Sequence, residues 1–320
     1  MKITSLHNNM AKKVQQKAQQ QIEAARQRSP IPIRHLNFNF KKEELDDKFY
    51  FQTVFGSAYW EALSIFLTYG EDLVIETARH HRDDITDPVL KQRLTSLIGQ
   101  EAIHSKLHNE WNDILAENHF PVKLYRFLAQ NVFDHTFLKF PQPLKLSMMA
   151  AIEHFTAVIA EHMMRNEDSF HHTKDDKTIA LWMWHMLEES EHKDIAYDTY
   201  QLLSGKYMLR QLGFFIALIT ILGLVSLGAV GIPLLRRPHK LLSKATLKDI
   251  KQSLSLLVGP KRGVFGSNWD HVFAYLKPSF HPNDYDSSEY LEFYKKDLLH
   301  PETGRLTPFF TKQMIPALRQ

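Results

Sequence analysis

Between Leu97 and Trp111 the chain reads LIGQEAIHSKLHNEW, which places Glu101, His104 and His108 on one side of any helix built from it. Residues three and four apart share a helical face. The rest of that face is apolar: Leu94, Leu97, Trp111 and Leu115. A carboxylate and two imidazoles in a core-facing stripe are costly to bury unless something pairs with them. A metal ion satisfies Glu and His together. Taken alone, the motif fits a solvated strip of a surface helix equally well, so the remainder of the chain has to supply a matching set.

The helices that must position such a set are legible. A helical pattern from Val54 to Arg82 carries Leu63, Leu67, Val74 and Ala78 on one face, with Glu71 among them. The segment Asp83 to Pro88 is a turn, with Asp87 suited to cap the next helix and Pro88 to begin it. Glu71 lies fifteen residues before Thr86 and Glu101 fifteen after it, so an antiparallel pair brings the two carboxylates to one depth. A second pair repeats this. From Pro141 to Arg165 the apolar face is Leu146, Met149, Thr156 and Ala160, interrupted by Glu153. After a polar turn, Thr178 to Leu203 carries Leu181, His185, Glu188, His192, Ile195, Thr199 and Leu202, with Glu189 at the edge. Glu153 lies eighteen residues before His171 and Glu189 eighteen after it. Glu189-Ser-Glu-His192 repeats the spacing of Glu101-Ala-Ile-His104, and a crossover with a helix over Val122 to Asp134 joins the two hairpins. One Glu from each of two helices and Glu-x-x-His from the other two is the ligand pattern of ferritin-like dinuclear carboxylate bundles. The expected fold is therefore all-α: a ferritin-like four-helix bundle over 36–205, a basic arm over 1–35, and an apolar helix with further helices over 206–320.

The chain also resembles the bacterial predicted metal-dependent hydrolases. The likeness rests on Ser29-Pro-Ile-Pro-Ile-Arg34, Gly70-Glu-Asp72, Gln100-Glu-Ala-Ile-His104, Ile152-Glu-His-Phe-Thr156, the run Trp184 to Lys193, and Tyr275-Leu-Lys-Pro-Ser-Phe-His-Pro282. It covers about 29–320, so one family domain is expected. The resemblance implies hydrolysis, whereas the ligand pattern implies oxygen chemistry.

The expected metal ligands are Glu71, Glu101 and His104 on one ion and Glu153, Glu189 and His192 on the other, with one or two carboxylates bridging. His108, His154, His185 and Glu188 are alternative ligands or hydrogen-bond supports to them. Glu188 competes with Glu189, which is preferred because its spacing repeats the first motif. Oxygen and nitrogen donors suit two divalent ions, iron first, with manganese or zinc as alternatives. Three functions compete: an oxygen-activating oxidase or oxygenase acting on an apolar substrate, a hydrolase of an ester or phosphoester, and a non-catalytic membrane-associated or iron-handling protein. The first is preferred on ligand type.

Composition narrows the rest. With no cysteine, thiol nucleophiles, zinc–thiolate sites and thiolate-held clusters are excluded. Residues 1–35 hold seven Lys or Arg against Glu23 alone, and Asn9 to Arg28 reads as a polar helix or arm with no aromatic interleaving, so no nucleic-acid partner is expected. No secretory pattern opens the chain, which points to the cytoplasm. Gln211 to Leu235 is 25 residues without a charge. That is long enough to cross a bilayer, which takes about 20. Gly223, Gly228, Gly231 and Pro233 would break a simple span, and basic residues flank both ends. Contact with the inner face of the cytoplasmic membrane, as a monotopic or re-entrant insertion, is expected ahead of a helix buried in the protein. Leu241 to Val258 reads equally as an amphipathic basic helix on anionic lipid or a surface helix on the bundle. A lipid-like small-molecule substrate would suit that location. His281 is read as a turn cap.

Overall fold

Prolines and aspartates set most element boundaries in the computed structural model, which describes residues 20, 31–118, 120–166, 175–236 and 243–311. Helix α1 spans Val54–His81 and α2 Pro88–Asn118, where the Asp87 carboxylate accepts the Leu90 N–H at 2.8 Å and Pro88 needs no amide partner. Helix α3 is Phe120–His135, and α4, with proline in its first turn, is Gln142–Arg165. Helix α5, Asp176–His192, is capped by Asp175, whose carboxylate accepts the Thr178 N–H at 2.9 Å and its hydroxyl at 2.6 Å. Among the described residues there is no strand, only a single bridge between Leu36 and Phe310. The all-α class expected from the periodicity is the class observed.

One expected helix is two. The pattern from Thr178 to Leu203 breaks at Lys193 and Asp194, and α6 restarts at Ile195–Leu203. Side-chain pairing explains the break. The Lys193 ammonium donates to Glu161 at 2.8 Å and to the Tyr285 carbonyl at 2.7 Å, while Asp194 accepts from Arg93 at 2.9 Å. These bonds turn the chain and tie α5 to α4, α2 and the C-terminal segment.

Helix α7, Tyr207–Arg236, is long and apolar enough to cross a membrane, with a mean hydropathy of 2.5 over its most apolar window. The glycines and Pro233 do not break it. It relaxes into a π turn at Ile221–Val225, where the Tyr125 hydroxyl donates to the Leu224 carbonyl at 2.9 Å. A π turn disturbs the regular backbone ladder, and an outside donor can satisfy a carbonyl there. Gly213 and Gly228 let α7 lie close on the bundle: a Cβ at Gly213 would collide with Ser147, and one at Gly228 with Ala62 and Tyr125. Both ends are anchored by cations, Arg210 buried and Arg236 half-buried. Arg210 donates to the Tyr197 hydroxyl and the Lys277 carbonyl, and Arg236 pairs with Glu61 at 2.8 Å. Only 39% of the apolar window is buried, so the opposite face of α7 stays exposed.

Helix α8 is Lys244–Val258, α9 Trp269–Ala274 and α10 Ser288–Leu298. One hydrophobic core runs from Ile31 to Phe310. Ile31 and the described residues after 205 therefore share a core with the bundle. The basic helix expected over Asn9 to Arg28 and the turn around His171 lie outside the described residues.

Candidate metal centre

Four helices converge on one buried volume: α1 brings Glu71; α2 brings Glu101, His104 and His108; α4 brings Glu153; and α5 brings His185, Glu188, Glu189 and His192. Every one of these side chains is at most 3% exposed. On α5, His185, Glu189 and His192 are spaced four and three apart and face inward together, as do Glu101 and His104 on α2.

The inward-pointing atoms make two overlapping groups. Donor atoms of Glu101, His104, Glu189 and His192 lie within 4.8 Å of one another, as do those of Glu71, His104 and His185. His104 belongs to both. This differs from the expected division, which put Glu71, Glu101 and His104 on one ion. His185, expected only as an alternative, stands among the inward donors, with Nε2 2.9 Å from Glu189 and 3.9 Å from Glu71. Glu153 meets the site through His192: its carboxylate accepts the Nδ1–H at 2.7 Å.

Each inward histidine has its other nitrogen held. His192 Nδ1 is on Glu153, and His104 Nε2 donates to Glu188 at 3.0 Å. His185 Nδ1 meets His108 Nε2 at 2.9 Å. Behind His108 the chain of bonds continues, with its Nδ1 2.7 Å from the Ser64 hydroxyl, which donates to Asn112 Oδ1 at 2.8 Å. Burial and the neighbouring His185 push His108 well below the ordinary imidazole range, so it is neutral. The polarity then runs one way: Ser64 donates to Asn112, His108 donates to Ser64, and His185 donates to His108. That order leaves His185 Nε2 with a free lone pair facing inward. Fixing the outer nitrogen is how proteins set the tautomer and orientation of a metal-binding imidazole.

The inner atoms are the ones that make no aligned hydrogen bond in the protein: both oxygens of Glu71, Glu101 Oε1, His104 Nδ1, His185 Nε2, Glu189 Oε2 and His192 Nε2, even where His185 and His192 lie near a carboxylate. Buried polar groups are rarely orphaned, and an orphaned set converging on one place calls for a missing partner. The electrostatics identify its sign. Burial would depress the imidazoles, yet Glu101 and Glu188 hold His104 well above its ordinary range, and Glu153 and Glu189 raise His192 to about 10. Burial, with Glu101 as its neighbour, drives Glu71 well above the carboxylate range. Burial and Glu101 together outweigh His192 and carry Glu153 to about 8. Glu189, despite its burial, is drawn down to about 2 by His192, His185 and His104. The volume is negative enough to hold protons on imidazoles, which is the condition for holding a cation.

Glu188 and Glu189 have separate roles here. Glu189 faces the inner group, while Glu188 accepts from His104 on one oxygen and from Arg34 at 3.0 Å on the other. Arg34 also donates to Glu191 at 2.7 and 2.8 Å and is itself buried. Counted by its position in the sequence with the basic arm, Arg34 instead closes one end of the site. Its only signal was its place in the Pro-Ile-Pro-Ile-Arg run, since 154 residues separate it from Glu188. Gln100 fixes the same segment by donating to the Pro32 carbonyl at 2.9 Å.

A family model described as predicted metal-dependent hydrolase matches residues 32–286. The chain belongs to that family. Its matched region begins two residues before Arg34 and includes every side chain described above. No curated protein and no solved structure matches the chain.

One expected residue sits elsewhere. His154 is turned away from the site: its Nε2 donates to the Val272 carbonyl at 3.2 Å, and its ring packs on Tyr275 and Phe280. One step along a helix rotates a side chain by about 100°, so adjacency to Glu153 points it to the opposite wall. His281 caps its turn as expected, accepting the Asn283 N–H at 3.1 Å, and its Nε2 meets Asp198 at 2.9 Å.

Proposed function

We propose that this member of the predicted metal-dependent hydrolase family is a dinuclear metal enzyme that carries out redox chemistry on dioxygen. The carrying observation is the convergence of seven buried ligand-type atoms, from three glutamates and three histidines, that make no hydrogen bond in the protein. Glu71, Glu101, Glu189 and Glu153 offer four carboxylates, whose charges two divalent ions would balance once Glu71 and Glu153 give up their protons. Oxygen donors with imidazoles and no thiolate suit iron, with manganese next. We read the four supporting helices as ferritin-like on the same pattern of Glu and Glu-x-x-His.

When bound, paired iron supplies electrons to dioxygen in steps that a single side chain cannot provide. The chain's own groups set the conditions. Glu153, Glu188 and His108 orient the three imidazoles, and Arg34 fixes Glu188 by donating to its second oxygen. Complete enclosure excludes bulk water and admits a diatomic molecule more readily than an ester. Metal analysis of protein purified from cells supplied with iron and manganese is expected to find about two ions per chain. Ferrous protein mixed with oxygenated buffer should then consume oxygen. Metal-free protein that gains no ions, or iron-loaded protein that leaves oxygen untouched, overturns the reading.

The family description favours a second reading, hydrolysis of an ester or phosphoester, in which paired ions lower the pKa of a water for attack. Zinc- or manganese-loaded protein that turns over such substrates without oxygen uptake selects this alternative.

A further inference from the structure

Far from the metal centre, α7, α1 and α8 enclose a cavity of about 380 Å³. Its walls are apolar: Phe55, Ile221, Leu222, Ala229, Leu257 and Phe265 are among them. That volume falls within the range of small-molecule sites, about 300–1,000 Å³. Three lining residues break the apolar pattern: Tyr59, Ser253 and, exposed to solvent, Ser226. Tyr59 and Ser253, both buried, carry hydroxyls with no hydrogen-bond partner in the protein. An unpaired buried hydroxyl is destabilising unless something satisfies it, so the cavity suits a molecule that is mostly hydrocarbon with an oxygen along it.

The mouth of the cavity shows where such a molecule comes from. Val230, Leu254 and Val258 line it and are half exposed. They continue into the uncovered face of α7, where Met208, Leu212, Ile219, Leu227 and Leu235 point outward. Helix α3, which meets α7 through Tyr125, exposes Phe120, Leu124, Phe127 and Leu128 on one face. Contiguous apolar surface of this extent marks a membrane or protein contact. Charge favours the membrane. Lys244, Lys248 and Lys251 share the exposed face of α8 with Leu247, Leu254 and Val258, and exposed Lys261 and Arg262 follow. The one acid of α8, Asp249, is turned inward onto the N-terminus of α1. Apolar residues rimmed by lysines on an interfacial helix match an anionic lipid surface.

We propose that this face rests on an anionic phospholipid membrane and that the cavity takes one acyl chain from it, the chain's ester oxygen meeting Tyr59 and Ser253. The site is distinct from the metal centre. Tyr59 and Glu71 are twelve residues apart on α1, about 18 Å along its axis and about 120° around it. The proposal does not depend on the metal reading, and its readouts are the same with or without metal.

The test uses detergent-free protein, cis-parinaric acid as a fluorescent chain, and vesicles of phosphatidylcholine with or without phosphatidylglycerol. Saturable binding of one probe per chain is expected, together with sedimentation on phosphatidylglycerol-containing vesicles only. Ala229→Phe, which fills the cavity, should weaken the probe by about tenfold or more. Lys248→Glu with Lys251→Glu should abolish sedimentation and leave the probe bound. Should Ala229→Phe fail to fold by circular dichroism, Leu254→Trp at the mouth takes its place. Absence of probe binding, equal binding by the folded filled variant, or no vesicle association overturns the proposal. A stable dimer that covers the α7 face in solution does so as well.

Discussion

His192 is held on one side by Glu153 and faces the inner donors with its other nitrogen. With its folded value raised to about 10, the metal-free imidazole keeps a proton at neutral pH. A metal ligand must give that proton up. Adding ferrous or zinc ions to metal-free protein in weak buffer at pH 8 should therefore release protons, seen with an indicator dye, and affinity should fall as pH is lowered. Proton release that persists in His192→Ala at the wild-type level would refute this assignment. The supporting carboxylates can be tested separately from the inner ones. Glu188→Gln keeps a hydrogen-bond acceptor for His104 but loses the ion pair with Arg34. Removing such a support typically costs about 10–100-fold in metal affinity. Glu101→Ala should instead abolish binding at one position, and competition with a chromogenic chelator distinguishes the two outcomes.

At the scale of elements, the helices are held by interactions distant in sequence. Asp249 on α8 accepts the Val54 and Phe55 N–H groups at 2.8 and 3.0 Å, capping α1 from nearly two hundred residues away. Asp249→Ala should cost about 1 kcal/mol in urea denaturation, the usual value of a lost cap. Because α1 carries Glu71 far from that end, the metal content should not change. Gly228 is the tighter constraint. Its missing side chain lets α7 touch Ala62 and Tyr125, so Gly228→Val must push the helices apart. Overpacking of this kind costs about 1–3 kcal/mol, and a denaturation midpoint equal to that of the wild type would contradict it.

For the whole molecule, the C-terminal segment packed on α4 is the part that acid should weaken. Burial and neighbouring positive groups hold His154, His162 and His271 at about 3, 4 and 3, against an ordinary 6.5. The unfolded chain takes up these protons near 6.5 while the folded chain refuses them. The stability they guard is therefore complete above 6.5 and is lost as pH falls toward 3–4. Glu71 and Glu153, raised by burial, work the other way in the metal-free protein, so the loss should show as local opening of the C-terminal segment between pH 7 and pH 5. His154 and His271 both lie where the C-terminal segment packs on α4, at 5.5 Å between rings, so that segment should loosen first. Proteolysis at mildly acidic pH that spares residues 264–310 would count against this order.

Local spacing made much of this protein legible. The helical periodicity, the Asp87 cap and the duplicated Glu-x-x-His are short-range patterns, and they located α1 to α5 and the glutamates and histidines that converge. Such patterns specify which face a side chain takes on its own helix, because 3.6 residues per turn is a local property. Which faces meet is decided by packing between helices. Only the tertiary structure separates Glu188 from Glu189, brings His185 inward, turns His154 to the far wall and buries Arg34 against a carboxylate 154 residues away. Packing also decides the apolar stretch: composition makes it able to cross a membrane, whereas Gly213, Gly228, Arg210 and Arg236 fasten one of its sides to the bundle and leave the other uncovered.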